Sequence, residues 1–223
     1  MRDVTTVSGV IISSTPIGEY DRRVVILTRE LGKISCFARG RRRPTSKLIA
    51  SGRSFIFANF NIYEGKSAYI LQDIFIVKSF DEITKDYNTL IYVYYFAEIA
   101  EYFGREGMNA TDSVNLLYVA FNALLDEKLD NDTVKAAFEI RTLANEGLLN
   151  DIPDRAHADR ALINAFDKSA SDNVLTMFGF ILNEPARTEF IKLADKMMTE
   201  SVDRKIKSRG LLMNGNWFDD GNK

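Results

Sequence analysis

Cysteine and histidine are almost missing from this chain: Cys36 and His157 stand alone in 223 residues. A lone cysteine excludes an internal disulfide, and one thiol with one imidazole leaves too few ligands for a structural zinc site. The same scarcity, with no Gly-x-Ser-x-Gly or HExxH element, removes the usual nucleophilic and metalloprotease arrangements. Long apolar runs are also absent: nothing approaches the roughly 18 residues that a membrane-spanning helix needs. The N-terminal stretch "MRDVTTVSGVIISSTPIGEYD" has no apolar core followed by a small-residue cleavage site, so the expected location is cytoplasmic. Acidic residues show no cluster at metal-ligand spacing, which leaves a metal-dependent nuclease without support. "GRRRPTSK", Gly40 to Lys47, lacks the glycine spacing of a nucleotide-triphosphate loop and leads from one strand to another, whereas such a loop opens a helix. No enzyme, cofactor or metal is expected.

What the chain does have is positive charge in one place. Residues 1–80 hold 13 Lys+Arg against 6 Asp+Glu, while residues 81–223 hold 16 against 25. A basic front on a chain of net charge -2 points to a polyanion bound by that part alone. The charge is densest in "FARGRRRPTSKL", Phe37 to Leu48, where Arg39, Arg41, Arg42, Arg43 and Lys47 fall within nine positions.

Periodicity changes near Phe80. Before it come five β-branched and aromatic runs, Val7–Ser14, Arg23–Thr28, Lys33–Ala38, Ser54–Tyr63 and Ala68–Val77. Short glycine-containing links, Glu30 to Gly32 and Glu64 to Ser67, predict hairpins between the second and third and between the fourth and fifth. Five strands in eighty residues predict a closed OB-fold β-barrel, with an SH3-like barrel as competitor. After Phe80 apolar residues recur at helical spacing: Ile83, Tyr87, Leu90, Tyr94 and Ala97, then Val114, Leu117, Tyr118, Phe121, Leu124 and Leu125. Ala136, Ile140, Leu143 and Ala144 follow an Asn131-Asp132 cap. Val174, Leu175, Phe178, Ile181 and Leu182 predict another helix, and Glu184-Pro185 starts one carrying Phe190, Leu193, Met197 and Met198. The expected organisation is α+β: a barrel over 1–80, an all-α helical bundle over 81–200, and a tail, flexible in expectation, over 201–223.

Alternation along the third strand puts Ile34, Cys36 and Ala38 inward and Lys33, Phe37 and Arg39 outward beside the basic loop. On the fourth, Ile56, Ala58, Phe60 and Ile62 face inward and Phe55, Phe57, Asn59, Asn61 and Tyr63 outward, where the aromatics could stack on bases; for Phe55 and Phe57 the alternative is packing against the helical domain. Aromatics among cations on a small barrel suit nucleic acid, since a stacked base contributes about 1–3 kcal/mol and arginines neutralise phosphates. Candidate nucleic-acid-binding residues are Arg22, Arg23, Lys33, Phe37, Arg39, Arg41, Arg42, Arg43 and Lys47. Five phosphate contacts by the loop predict a log-log salt slope near -4.5 on duplex and about -3.5 on single strands. An RNA-binding OB module would use the same residues.

The order "SGVIISSTPIGEYDRRVVILTRELGKISCFARGRRRPTSKL", with Gly18-Glu19, Asp21-Arg22, Gly32-Lys33, Ala38-Arg39-Gly40 and Ser46-Lys47, resembles the start of the bacterial recombination mediator RecO family. "NFNIYEGKSAYILQDIFIVKSFDEITKDYNTLIYVYYFAEI" and Phe138-Glu139-Ile140-Arg141 are similar to its later strands, first helix and "FExR" helix, so the likeness covers roughly residues 1–147. The resemblance implies an OB domain followed by helices, binding to single- and double-stranded DNA, annealing of complementary strands, and action at the nucleoid. It also implies partners: RecR, the C-terminal tail of single-strand-binding protein, and through them the loading of RecA on gaps. Many relatives carry a four-cysteine zinc element where this chain reads "LANEGLLNDIPDRAHADRALINAF". For an acidic, apolar-ended tail, the cations near apolar stripes are Lys128, Lys135 and Arg141; Arg141 has Glu98 or Glu101 as alternative ion-pair partners.

Overall fold

The computed structural model describes residues 3–40, 48–171 and 173–214. They form two compact units, Met1–Asp81 with Ala97–Val114 and Glu82–Phe96 with Asn115–Lys223. The front unit thus takes in a second segment well beyond Phe80.

The five predicted strands are all present: β1 (Thr5–Ile17), β2 (Asp21–Thr28), β3 (Gly32–Ala38), β4 (Ile56–Glu64) and β5 (Tyr69–Ser79). They close in the order β1-β2-β3-β5-β4, the five-stranded OB arrangement. Both predicted hairpins are antiparallel, and β3 runs parallel to β5 where Cys36 and Phe37 meet Tyr69 and Ile70. A single strand, β1, pairs with β2 on one side and β4 on the other, turning between them at a register break between Ile11 and Ser13. Inside lie Val7, Ile11, Val24, Ile26, Ile34, Cys36, Phe60 and Ile62. Burial, with Glu106 adding to it, pushes the Cys36 thiol up to about 12; this cysteine is a small core residue, unreactive at neutral pH.

The return segment closes one end of the barrel with backbone bonds. Lys33 N donates to Arg105 O at 3.1 Å, Gly107 N to Leu31 O at 2.9 Å and Ala110 N to Arg29 O at 3.0 Å. Gly32 sits in their midst at φ +65°, where a Cβ would lie 2.0 Å from Arg105 O. Only glycine meets both the left-handed backbone and the close approach.

The helices are α1 (Tyr87–Phe103), α2 (Thr111–Leu124), α3 (Asn131–Asn145), α4 (Arg160–Ala170), α5 (Glu184–Ser201) and α6 (Lys207–Asn214). In the second unit α3 is central, with every residue from Val134 to Leu143 buried, and it packs against α4 and α5. Its cap is Asp130, whose carboxylate accepts from Thr133 N, one position before the predicted pair. Asn183 caps α5 and Pro185 stands in its first turn, as the Glu184-Pro185 signal requires.

Two helical expectations are corrected. The predicted stripe of α1 is only partly its buried side: Ala97 is buried but Tyr87 and Tyr94 are exposed, while Ile91, Val93, Tyr95, Phe96 and Ile99 are buried; a helix apolar on most of its circumference has no single diagnostic stripe. No helix runs through Val174–Leu182. That stretch holds one 3-10 turn, Val174–Thr176, and leaves Leu175 and Ile181 exposed, since Gly179 interrupts it and Lys168 Nζ claims the Gly179 carbonyl. In the stretch expected as a tail, α6 follows the buried Ile206.

Gly32→Ala tests the closure of the barrel end. Strain and the clash with Arg105 O should destabilise the front unit by at least about 2 kcal/mol, lowering its thermal midpoint by at least roughly 8–16 °C; an unshifted midpoint in calorimetry would contradict the close approach.

Candidate nucleic-acid interface

The outer face of β2 and β3 is divided by what covers it. The register sets Leu27 opposite Lys33, Val25 opposite Ser35 and Arg23 opposite Phe37. At the first of these rungs Lys33 Nζ donates to the Glu101 carbonyl of α1 at 2.6 Å, so this ammonium caps the helix's last turn. Lys33 is therefore separated from the expected cluster, although its strand parity was predicted correctly. The other end of the face is open. Arg23 is exposed and directs Nε to Ser35 Oγ at 2.8 Å, Phe37 beside it is half-buried, and Arg39 is exposed at the strand's exit.

Arg22 points to the inward parity at the barrel's rim. Its Nε donates to Ser14 Oγ at 2.7 Å and its Nη2 to the Ser14 carbonyl at 2.5 Å, which binds β2 to β1. Around the same end, Gly40 N donates to Asp21 Oδ1 at 2.8 Å and Phe55 N to Ile11 O at 2.8 Å. Leu48 is buried in the barrel core. The connection from β3 to β4 thus leaves and re-enters at fixed points. Arg41, Arg42, Arg43 and Lys47, the rest of the basic cluster, lie outside the described residues.

At the start of β4 neither Phe55 nor Phe57 offers a stacking platform, and Tyr63 near its end is half-buried. Phe55 and Phe57 are buried, and Phe57 meets Phe80 edge-on with ring centroids 5.6 Å apart. Phe55 takes a left-handed backbone at φ 64°, which breaks the alternation used to place it outward. Both rings are packed, Phe57 against Phe80 of its own unit.

In the helical unit Lys128 is exposed, but Lys135 and Arg141 are interior. Lys135 Nζ lies 2.8 Å from Glu139 Oε1 and 3.2 Å from Asp195 Oδ1, and Arg141 Nη1 donates to the carbonyls of Ala170 and Ser171. Neither presents a cation to a partner, because each arises on a helix buried all round and neutralises a polar group there. Fully buried Glu139 also accepts from the Tyr95 hydroxyl at 2.5 Å, and its Oε2 has no partner. Arg209 Nη2 closes the network on Asp195 Oδ2 at 2.6 Å. Desolvation raises the Glu139 pKa, and Lys135 and Tyr95 draw it down without cancelling that effect.

One cationic feature was missed. A cavity of about 370 Å³ is lined by Met198, Val202, Arg204, Lys205, Ile206 and Arg209. Its signal was "DRKIKSR", Asp203 to Arg209, four cations around one isoleucine. Leu143–Phe166 forms the end of α3, a connection and the start of α4, held where Arg155 pairs with Asp151 and Asp167. Among the described residues no group of three or more His, Cys, Asp or Glu side chains could hold a metal ion, and no helix is long and apolar enough to cross a membrane.

Fold and site together define a two-unit protein whose OB barrel exposes Arg23 and Arg39 at one end. A family model described as the recombination protein O N-terminal region matches residues 1–80. The DNA repair protein RecO of Clostridium kluyveri is 23% identical over 235 residues, which cover 92% of this chain and 91% of that protein. Those of Clostridium acetobutylicum and Acetivibrio thermocellus are 33% and 32% identical over 62% and 63% of this chain. With these two the match spans little more than half of the relative, 56% in each case. The chain is thus similar to RecO proteins, by the family model over its first 80 residues and over nearly its whole length to that of Clostridium kluyveri.

The buried network makes stability pH-dependent in a stated direction. The folded chain keeps a proton on Glu139 to higher pH than the unfolded chain, so this residue's contribution to stability falls as pH rises from 4.5 through the raised value. In urea unfolding across that window, Glu139→Gln should flatten the decline, and parallel curves for the two chains would contradict the assignment. Tyr95→Phe, which removes a donor from the same carboxylate, should cost about 1–3 kcal/mol.

Proposed function

We propose that this protein acts in DNA repair and recombination by holding DNA strands on the open end of the barrel without breaking bonds. The observation that carries the reading is the union of an exposed Arg23, a half-buried Phe37 and an exposed Arg39 at the point where the basic segment leaves an OB barrel. The names of its relatives, DNA repair protein RecO, support the same process. Arg39, Arg41, Arg42, Arg43 and Lys47 are the cations assigned to phosphates, with Arg23 and Phe37 beside them. Lys33 and Arg22 act through the barrel's integrity.

Complementary strands repel one another through their phosphates, and a surface that screens both lets them approach within pairing distance. Annealing is the activity this chemistry supports. With RecR, and at the nucleoid, the protein would help RecA load onto gaps covered by single-strand-binding protein, as the family resemblance implies. The acidic, apolar-ended tail of that binding protein suits the cavity of the helical unit, where the exposed Arg204 and Lys205 stand beside Met198, Val202 and Ile206. This site replaces Lys135 and Arg141 as the choice for tail binding.

Changing Arg41, Arg42 and Arg43 together to alanine removes three phosphate contacts. The log-log salt slope on single-stranded DNA should become shallower by about 2, and annealing of fluorescent complementary strands should slow, with the thermal midpoint unchanged. A slope equal to the parent's would remove the loop from the interface. Annealing of RNA but not DNA strands by the parent chain would assign it to the RNA-binding alternative.

A further inference from the structure

The β1–β2 hairpin ends in a side chain that its turn does not require. The tip reads Ile17-Gly18-Glu19-Tyr20-Asp21, and Gly18 supplies the left-handed position at φ +57°. Turn chemistry at such a tip favours small and polar residues, yet Tyr20 is there, 50% exposed, with Ile17 40% exposed beside it. Asp21, next in sequence, accepts the amide of Gly40, which fastens the exit of β3 to this hairpin. Arg39 therefore emerges beside the tip that carries Tyr20. One rung further down β2, Arg23 stands opposite Phe37. Two aromatic side chains and two arginines thus share this end of the barrel.

We propose that the Tyr20 ring is a stacking platform for unpaired bases and that it makes this end of the barrel prefer single-stranded to duplex DNA. The inference rests on the DNA-binding reading above and assigns it a selectivity. Arginine contacts to phosphate serve single strands and duplexes alike, because both present the same backbone. A ring face serves only single strands, because in a duplex each base is already stacked on its neighbours. The two kinds of contact also differ in salt response. Releasing counterions makes the arginine contribution steeply salt-dependent, whereas stacking of a neutral ring releases none. Phe37 is half-buried against the barrel and so presents less of its ring than Tyr20 does.

The test uses the full chain, labelled single strands and duplexes of one length, and fluorescence anisotropy over a salt series. Tyr20→Ala should weaken single-strand binding roughly 5- to 100-fold, the equivalent of one stacked base. Duplex affinity should stay within about twofold and the salt slope should not change. Tyr20→Phe should bind like the parent, and an abasic single strand should bind the parent as weakly as an ordinary strand binds Tyr20→Ala. Equal single-strand affinity for the alanine variant and the parent would overturn the inference while leaving the DNA-binding reading in place. Equal losses on both forms of DNA would overturn it too, assigning Tyr20 to the fold or to a phosphate contact. A parent chain that bound neither form would end both readings.

Discussion

Everything at the Arg23–Arg39 end of the barrel depends on how β1 closes it. One strand of thirteen residues pairs with two neighbours, and it does so only by turning at the register break between Ile11 and Ser13. Phe55 donates its amide to Ile11 O at that break, and Ser14, just past it, accepts from Arg22. The β2–β3 turn, where Thr28 Oγ1 donates to Gly32 O, in turn sets Arg23 opposite Phe37, and Gly40 comes to Asp21. A slip of one residue would turn Arg23 and Phe37 inward and the apolar set outward. Core and interface are therefore specified by the same pairing.

The cations of the chain fall into two groups that composition cannot distinguish. Lys33, Lys135 and Arg141 lie near helices, and each finds a carbonyl or carboxylate within reach. A long flexible side chain with several donors meets such acceptors readily, and burial makes leaving them unmet expensive. Arg23 and Arg39, on the open half of a strand pair, keep their charge at the surface. Among the described residues the basic front is thus smaller as a surface than as a sum: Lys33 is spent on a helix carbonyl, while Arg23 and Arg39 stay exposed.

The barrel was legible because strands advertise themselves by a period of two, which β3 follows without exception from Gly32 to Ala38. Its extra segment was not, since the bonds that attach residues 105–110 to the β2–β3 turn are made by backbone and leave no pattern except the glycine at position 32. Phe55 was misplaced because alternation assumes extended backbone, and this residue is left-handed. Lys135 and Arg141 were misplaced because hydrophobic stripes describe a helix with one wet side, and α3 has none. Tyr20 escaped notice for another reason: in a turn, periodicity says nothing, and only its exposure beside Arg39 gives the residue meaning.

A protein that anneals strands must grip what it brings together and let go of what it makes. Phosphate contacts alone do not provide this, because a duplex carries more charge along its axis than either strand and is gripped at least as firmly. Stacking has the opposite preference. A base held on a tyrosine must leave the ring to enter the helix, so pairing itself withdraws part of the binding free energy of the reactant. With one ring per site the difference is about 1–3 kcal/mol, enough to speed release of the product several-fold or more without weakening capture of the strands. On the proposed surface the arginines would govern encounter and the Tyr20 ring would govern turnover. The hairpin that carries the ring is fastened to the exit of the basic segment by one hydrogen bond from Gly40 to Asp21, so the two roles share one small part of the fold.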